Sequence, residues 1–134
     1  MDIGKLDGCG QMKIVIPVED DRGMDSPLSE HFGRAPFFAV FDVNEQGQVL
    51  RQEVVRNEGE HFGGLGRPSE RILQLRPDVV ITYGMGPRAL AMFQQARIAV
   101  LRANSNVVRD VLSSYFKGDL EELTEGCQRA RHQS

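Results

Sequence analysis

The chain has 134 residues, 40% of them apolar and 26% charged, with a net charge of −3. That is the length of one globular domain, enough for a core without disulfide or metal staples. The charge excludes a basic footprint for nucleic acid or an anionic membrane, and no apolar run approaches the roughly 20 residues of a membrane-spanning helix. Residues 1–11 (MDIGKLDGCGQ) are too polar for a secretory signal, so a cytoplasmic protein is expected. One acidic domain predicts a monomer. Cys9 and Cys127 are too few for a disulfide framework and read as free thiols.

Residues 1–11 carry three glycines without periodicity and read as a flexible lead. A single α/β domain is expected over residues 12–120, with a polar C-terminal helix or tail over 121–134. Lys13–Val18 (KIVIPV) is apolar on both faces and reads as a central strand. Residues 19–35 form a polar loop. Pro36–Val43 and Gln48–Arg56 read as a hairpin around the turn at Asn44–Gly47. Residues 57–67 form a second loop, rich in glycine.

Helix and strand then alternate. Pro68–Leu75 reads as a helix, started by its proline and ended before Arg76-Pro77. Asp78–Thr82 reads as a buried strand, Tyr83–Gly86 as a tight turn, and Pro87–Ala96 as a second helix. Ile98–Leu101 is a short strand. Asn104-Ser105-Asn106 offers a cap to an amphipathic helix over Val107–Phe116, stopped by Gly118. Asp119 begins a last polar helix ending near Arg131. The βαβ crossovers make the later strands parallel, so a mixed sheet with helices on its faces is expected.

This order has a geometric consequence. The first and third strands run parallel, and the last two run with them. The loops after all four leave one edge of the sheet, where open α/β sheets bind ligands. Two of those loops carry the same tetrapeptide, Glu30-His31-Phe32-Gly33 and Glu60-His61-Phe62-Gly63. The first copy precedes a strand and the second a helix, so this is not a duplicated fold. The copies can face each other as two jaws of one site. Phe32 and Phe62 read as anchors packing those loops.

Neutral imidazole suits soft and borderline metals, which makes His31 and His61 candidate metal ligands. A histidine beside an apolar residue more often serves packing or hydrogen bonding, and only the recurrence raises these two above that reading. Glycines before a helix start offer free backbone N–H groups to an anion. Gly84-Met85-Gly86 before Pro87 fits that pattern, and Gly63, Gly64 and Gly66 before Pro68 are a second instance. Arg34, Arg67 and Arg88 flank the loops. Two imidazoles, amides and guanidiniums suit a bulky anion with metal character, such as a metal–sulfide cluster. Enzymatic motifs are missing: there is no GxSxG elbow, GxxxxGK[ST] loop, CxxC pair or cluster of catalytic acids. No enzyme activity is expected.

The stretch SEHFGRAPFFAVFDV after a KIVIPV strand, followed by the His/Gly loop and DVVITYGMGPRAL, resembles the dinitrogenase iron–molybdenum cofactor biosynthesis family. The resemblance spans roughly Met12 to Leu120. It implies a ribonuclease-H-like three-layer α/β fold, with a mixed five-stranded sheet of order 3-2-1-4-5 whose second strand is antiparallel. The family includes nitrogenase accessory proteins that carry iron–molybdenum cofactor or its precursor, and its small stand-alone members include a carrier of a molybdenum–copper sulfide cluster. A histidine of the HFG motif is implicated in holding the cluster. That role would fall on His31, with His61, in the family's glycine-rich loop, second. Carriers often have a small residue and a cysteine after HFG. This chain has Arg34-Ala35 instead, so no thiolate is available there. The expectation is a small carrier or assembly factor for an iron–molybdenum or molybdenum–copper sulfide cluster in an anaerobic setting. The alternative is a regulatory module that docks on a cluster-assembly ATPase or acceptor protein and holds no metal.

Overall fold

The computed structural model describes residues 11–30, 32–57 and 68–123. Its elements run β1 (Gln11–Val18), β2 (Phe37–Asn44), β3 (Val49–Arg56), α1 (Pro68–Gln74), β4 (Val79–Thr82), α2 (Pro87–Gln95), β5 (Ala99–Arg102) and α3 (Val108–Lys117), with 3-10 turns at Gly23–Asp25 and Phe32–Arg34. The strands form one five-stranded sheet of order β3-β2-β1-β4-β5. β2 is antiparallel to β1 and β3, while β4 is parallel to β1 and β5. This is the mixed sheet and strand order expected from the sequence.

Side-chain alternation along the strands sorts the core into two layers. Val15, Phe38, Val40, Val55, Val80 and Val100 face one way, and Ile72 of α1 with Leu90 and Phe93 of α2 pack on them. Ile14, Ile16, Ala39, Phe41, Val79 and Ile81 face the other way, covered by Val108, Val111 and Leu112 of α3. β1 and β4 are buried on both faces, which is why KIVIPV and VVIT are apolar at both parities.

Several boundaries differ from the sequence reading. β1 starts at Gln11, because its ladder with β2 extends to the Gln11–Asn44 pair. The residues before it in the expected lead lie outside the described residues. No side chain of the Asn104–Asn106 run caps α3; its N-cap is Val107. The first helical N–H instead finds the Ser26 carbonyl across the loops, at 3.1 Å. Tertiary pairing thus does what a local cap would do. Gly118 ends α3 as expected, with φ 76° in the left-handed region that favours glycine.

The segment after Gly118 departs from expectation as far as it is described. Residues 119–123 are not helical. Arg102 N donates to Glu121 O at 2.8 Å and Leu123 N to Val100 O at 2.7 Å, so this segment runs along the outer edge of β5. Leu123 is buried there. An otherwise open edge and a buried leucine outweigh the helical propensity of a polar run. Residues 124–134 of the expected helix lie outside the described residues. No helix among the described residues is long and apolar enough to cross a membrane.

Candidate functional site

β1, β3, β4 and β5 end at the same side of the sheet, as the strand directions require. The loop after β1 folds back over that end. Ser29 N donates to Pro17 O and Leu28 N to Asn106 O, each at 2.9 Å, which ties the loop after β1 to the loop after β5. Arg109 Nη2 meets Asp25 Oδ1 at 2.9 Å on the surface of the same junction. Within the loop after β1, Ser26 donates to Asp20 Oδ1 at 2.5 Å. That bond leads the causes holding the Asp20 carboxyl below its ordinary pKa. The far part of the loop is thereby directed toward the turn between β4 and α2.

A cleft of about 480 Å³ opens between these two segments, lined by Glu30, Phe32 and Gly33 on one side and Tyr83, Gly84, Met85 and Gly86 on the other. Phe32 anchors its wall by meeting Phe93 of α2 edge to face, with ring centroids 6.1 Å apart. Met85 is buried and belongs to the core beneath the cleft, so it serves as floor. Gly86 is the N-cap of α2, Pro87 follows at the first helical position, and no side chain caps this end. The helix's first bond runs from Leu90 N to Gly86 O. The N–H groups of Arg88 and Ala89 therefore have no carbonyl within the helix to meet. A Cβ placed on Gly33 or Gly86 would meet nothing within 4 Å, so both glycines leave the mouth open.

Two ionisable groups share the cleft. Burial, and then the negative charge of Glu30, push the Tyr83 phenol above its ordinary pKa. With its proton held this way, the Tyr83 phenol is a hydrogen-bond donor. Among the described residues no three or more His, Cys, Asp or Glu side chains come together to hold a metal ion.

Behind the cleft, Asn57 joins three elements. Its backbone N–H donates to Pro36 O at 2.9 Å. Its side-chain amide donates to Ala35 O at 2.7 Å and accepts from Arg71 Nη1 of α1, also at 2.7 Å. The exit of the first tetrapeptide loop is therefore bound to the entry of the second, and both to the helix that follows it.

The family model for dinitrogenase iron-molybdenum cofactor matches residues 12–118. The chain belongs to that family. An uncharacterized protein of Methanocaldococcus jannaschii, MJ0580, is 28% identical over 114 residues, 84% of this chain and 92% of its own. The crystal structure of PH0822 is 34% identical with a TM-score of 0.69, covering 84% of this chain and 96% of that one. The apo form of the orange protein from Desulfovibrio gigas has the same fold, at 20% identity and TM-score 0.67, over 86% of this chain and 95% of that one.

Within this family member, the structure brings together part of the expected site. Gly84, Met85 and Gly86 face Glu30, Phe32 and Gly33 across the cleft. Arg34 and Arg88 are exposed at its flanks, outside the lining. His31, His61, Gly63, Gly64, Gly66 and Arg67, with Phe62, lie outside the described residues. Sequence reasoning missed Glu30 and Tyr83 as facing groups, and it missed the Asn57–Arg71 connection. The last had no local signal, because its partners are 14 and 22 residues apart in the chain.

Proposed function

We propose that this protein binds a metal–sulfide cluster, of iron–molybdenum or molybdenum–copper type, as cargo at the carboxyl edge of its sheet. It carries or helps assemble that cluster in the cytoplasm and does not act as an enzyme. The observation that supports this most is the cleft itself: Glu30, Phe32 and Gly33 face Gly84, Met85 and Gly86 within the stretch that matches the family. The chemistry of the walls is compatible with such cargo. Uncapped amides at the start of α2 and the Tyr83 phenol donate to an anion's sulfur or oxygen atoms, and Phe32 and Met85 give an apolar floor that lowers the local dielectric. His31 would be a ligand or donor and His61 a second. The Gly63–Gly66 amides would extend the cradle, and Arg34 and Arg88 would add positive charge from the rim.

The test is anaerobic reconstitution with iron, molybdate, copper and sulfide, then elemental analysis of the desalted protein. Metal is expected to stay on the wild type and to fall in His31→Ala and, less steeply, in His61→Ala. A wild type that retains no metal undoes the proposal. One observation favours the second reading, a docking module for a cluster-assembly ATPase or acceptor protein. The described lining holds the Glu30 carboxylate and no cationic side chain. A docking module would keep its partner in an anaerobic pull-down after both histidines are changed to alanine.

A further inference from the structure

The two edges of the sheet are finished differently. β5 is covered by residues 121–123, whereas β3 is the last strand in the sheet order, and among the described residues no strand pairs with the outer side of Arg51–Val54. We propose that this outer edge of β3 is a self-association surface, on which a second copy of the chain pairs antiparallel about Gln52.

Backbone geometry limits how two such edges meet. Asn57 N donates to Pro36 O, directly opposite it in the register that pairs Phe37 with Arg56. In an antiparallel ladder the bonded pairs alternate. The backbone groups of Val55, Glu53 and Arg51 therefore point inward to β2, and those of Arg56, Val54 and Gln52 point outward. A bulge at Asp42/Val43 interrupts the ladder only beyond Arg51. Outward groups can meet outward groups only if even-numbered residues face even-numbered ones.

Charge then selects among the registers that remain. With Gln52 opposite Gln52, Arg51 of each copy stands opposite Glu53 of the other, in the non-bonded pairs where side chains come closest. With Gln52 opposite Val54, two Glu53 carboxylates collide. With Gln52 opposite Leu50, two Arg51 guanidiniums collide. With Val54 opposite Val54, Arg51 and Glu53 miss each other altogether. Charges on edge strands ordinarily block pairing; here their order permits one register and opposes its neighbours.

The selected register also completes a pattern within the chain. Lys13 is paired with Asp42, and Asp42 with Arg51, across one face of the sheet. The row reads plus, minus, plus and stops at the edge, where Glu53 of the second copy supplies the next minus. About five residues on each side take part, so the dimer is small and belongs with weak, concentration-dependent interfaces. The proposal departs from the monomer expected from composition alone.

Sedimentation velocity from about 10 µM to about 1 mM reads the association. The wild type is expected to shift toward dimer within that range. Arg51→Glu and Glu53→Arg each set like charges against each other twice and should weaken association by at least about tenfold. Mixing these two variants restores both opposite-charge pairs in a heterodimer, so the mixture should associate where each alone does not. Both side chains are exposed, and circular dichroism checks that each variant folds. A wild type that stays monomeric throughout, a dimer indifferent to Arg51→Glu, or a mixture that stays monomeric would each overturn the proposal. None of these outcomes depends on whether a cluster binds.

Discussion

On one flank of the sheet β4 spans four residues, all buried; on the other β3 spans eight, of which one is buried. Strand length therefore says little about contribution to stability. What differs is cover. β4 lies between β1 and β5, beneath α2 on one face and α3 on the other, whereas among the described strands β3 pairs with β2 alone. The covered flank anchors the fold and carries the turn that forms one wall of the cleft. The β3 flank delivers the chain to the second tetrapeptide loop, and its side chains are mostly exposed.

The strongest way to break this contrast is to truncate one apolar side chain on each flank. Phe93→Ala empties a fully buried site and removes the support of Phe32, so a loss of about 3–5 kcal/mol in urea unfolding is expected. Leu50→Ala on the open strand should stay within about 0.5 kcal/mol. Equal losses at the two sites would erase the distinction.

An intermediate effect is expected where the open flank is tied to the rest. Asn57→Ala strips Ala35 O and the Arg71 guanidinium, whose Nε is already buried without a partner, of their described side-chain bonds. A cost of about 1–3 kcal/mol follows from leaving such groups unsatisfied, measured by the same unfolding curves. A neutral outcome would mean that the Asn57 side-chain bonds add nothing net to the joining of β3 and α1.

The smallest effect sharpens the chemistry of the cleft wall. The chain has two tyrosines, so Tyr83 can be titrated alone by ultraviolet absorbance in a Tyr115→Phe background. Its midpoint should lie above the ordinary value of 10.0, chiefly because it is buried. A raised phenol pKa means the folded state holds the proton more tightly. That stability is fully present below the unfolded value and is lost as pH rises through the folded one. Glu30→Gln should lower the midpoint by the smaller part of the shift. No change would separate Glu30 from Tyr83 electrostatically.

Much of this fold was legible because its strongest signals are local. Buried strands announce themselves as apolar runs, Pro68 and Pro87 mark helix starts, and Gly118 marks a helix end. Half the described cleft was equally legible, since Gly84-Met85-Gly86 before Pro87 reads as a helix start without a side-chain cap. The other features were not local. Asn104–Asn106 offers good capping chemistry, but the Ser26 carbonyl reaches the helix first. Residues 119–123 have a helix-like composition, but the edge of β5 supplies partners that a helix in solvent lacks.

The sequence by itself determined the five strands and the three helices between residues 68 and 117, their order, and therefore the edge at which the loops gather. Those follow from periodicity, turn chemistry and the handedness of crossovers, all of which act over a few residues or on the chain as a whole. The tertiary structure decided which loop residues face each other, that Met85 is floor, that Glu30 stands near the Tyr83 phenol, and that residues 121–123 cover the β5 edge of the sheet. Those depend on hydrogen bonds and burial between residues far apart in the chain, where no local pattern records the partner.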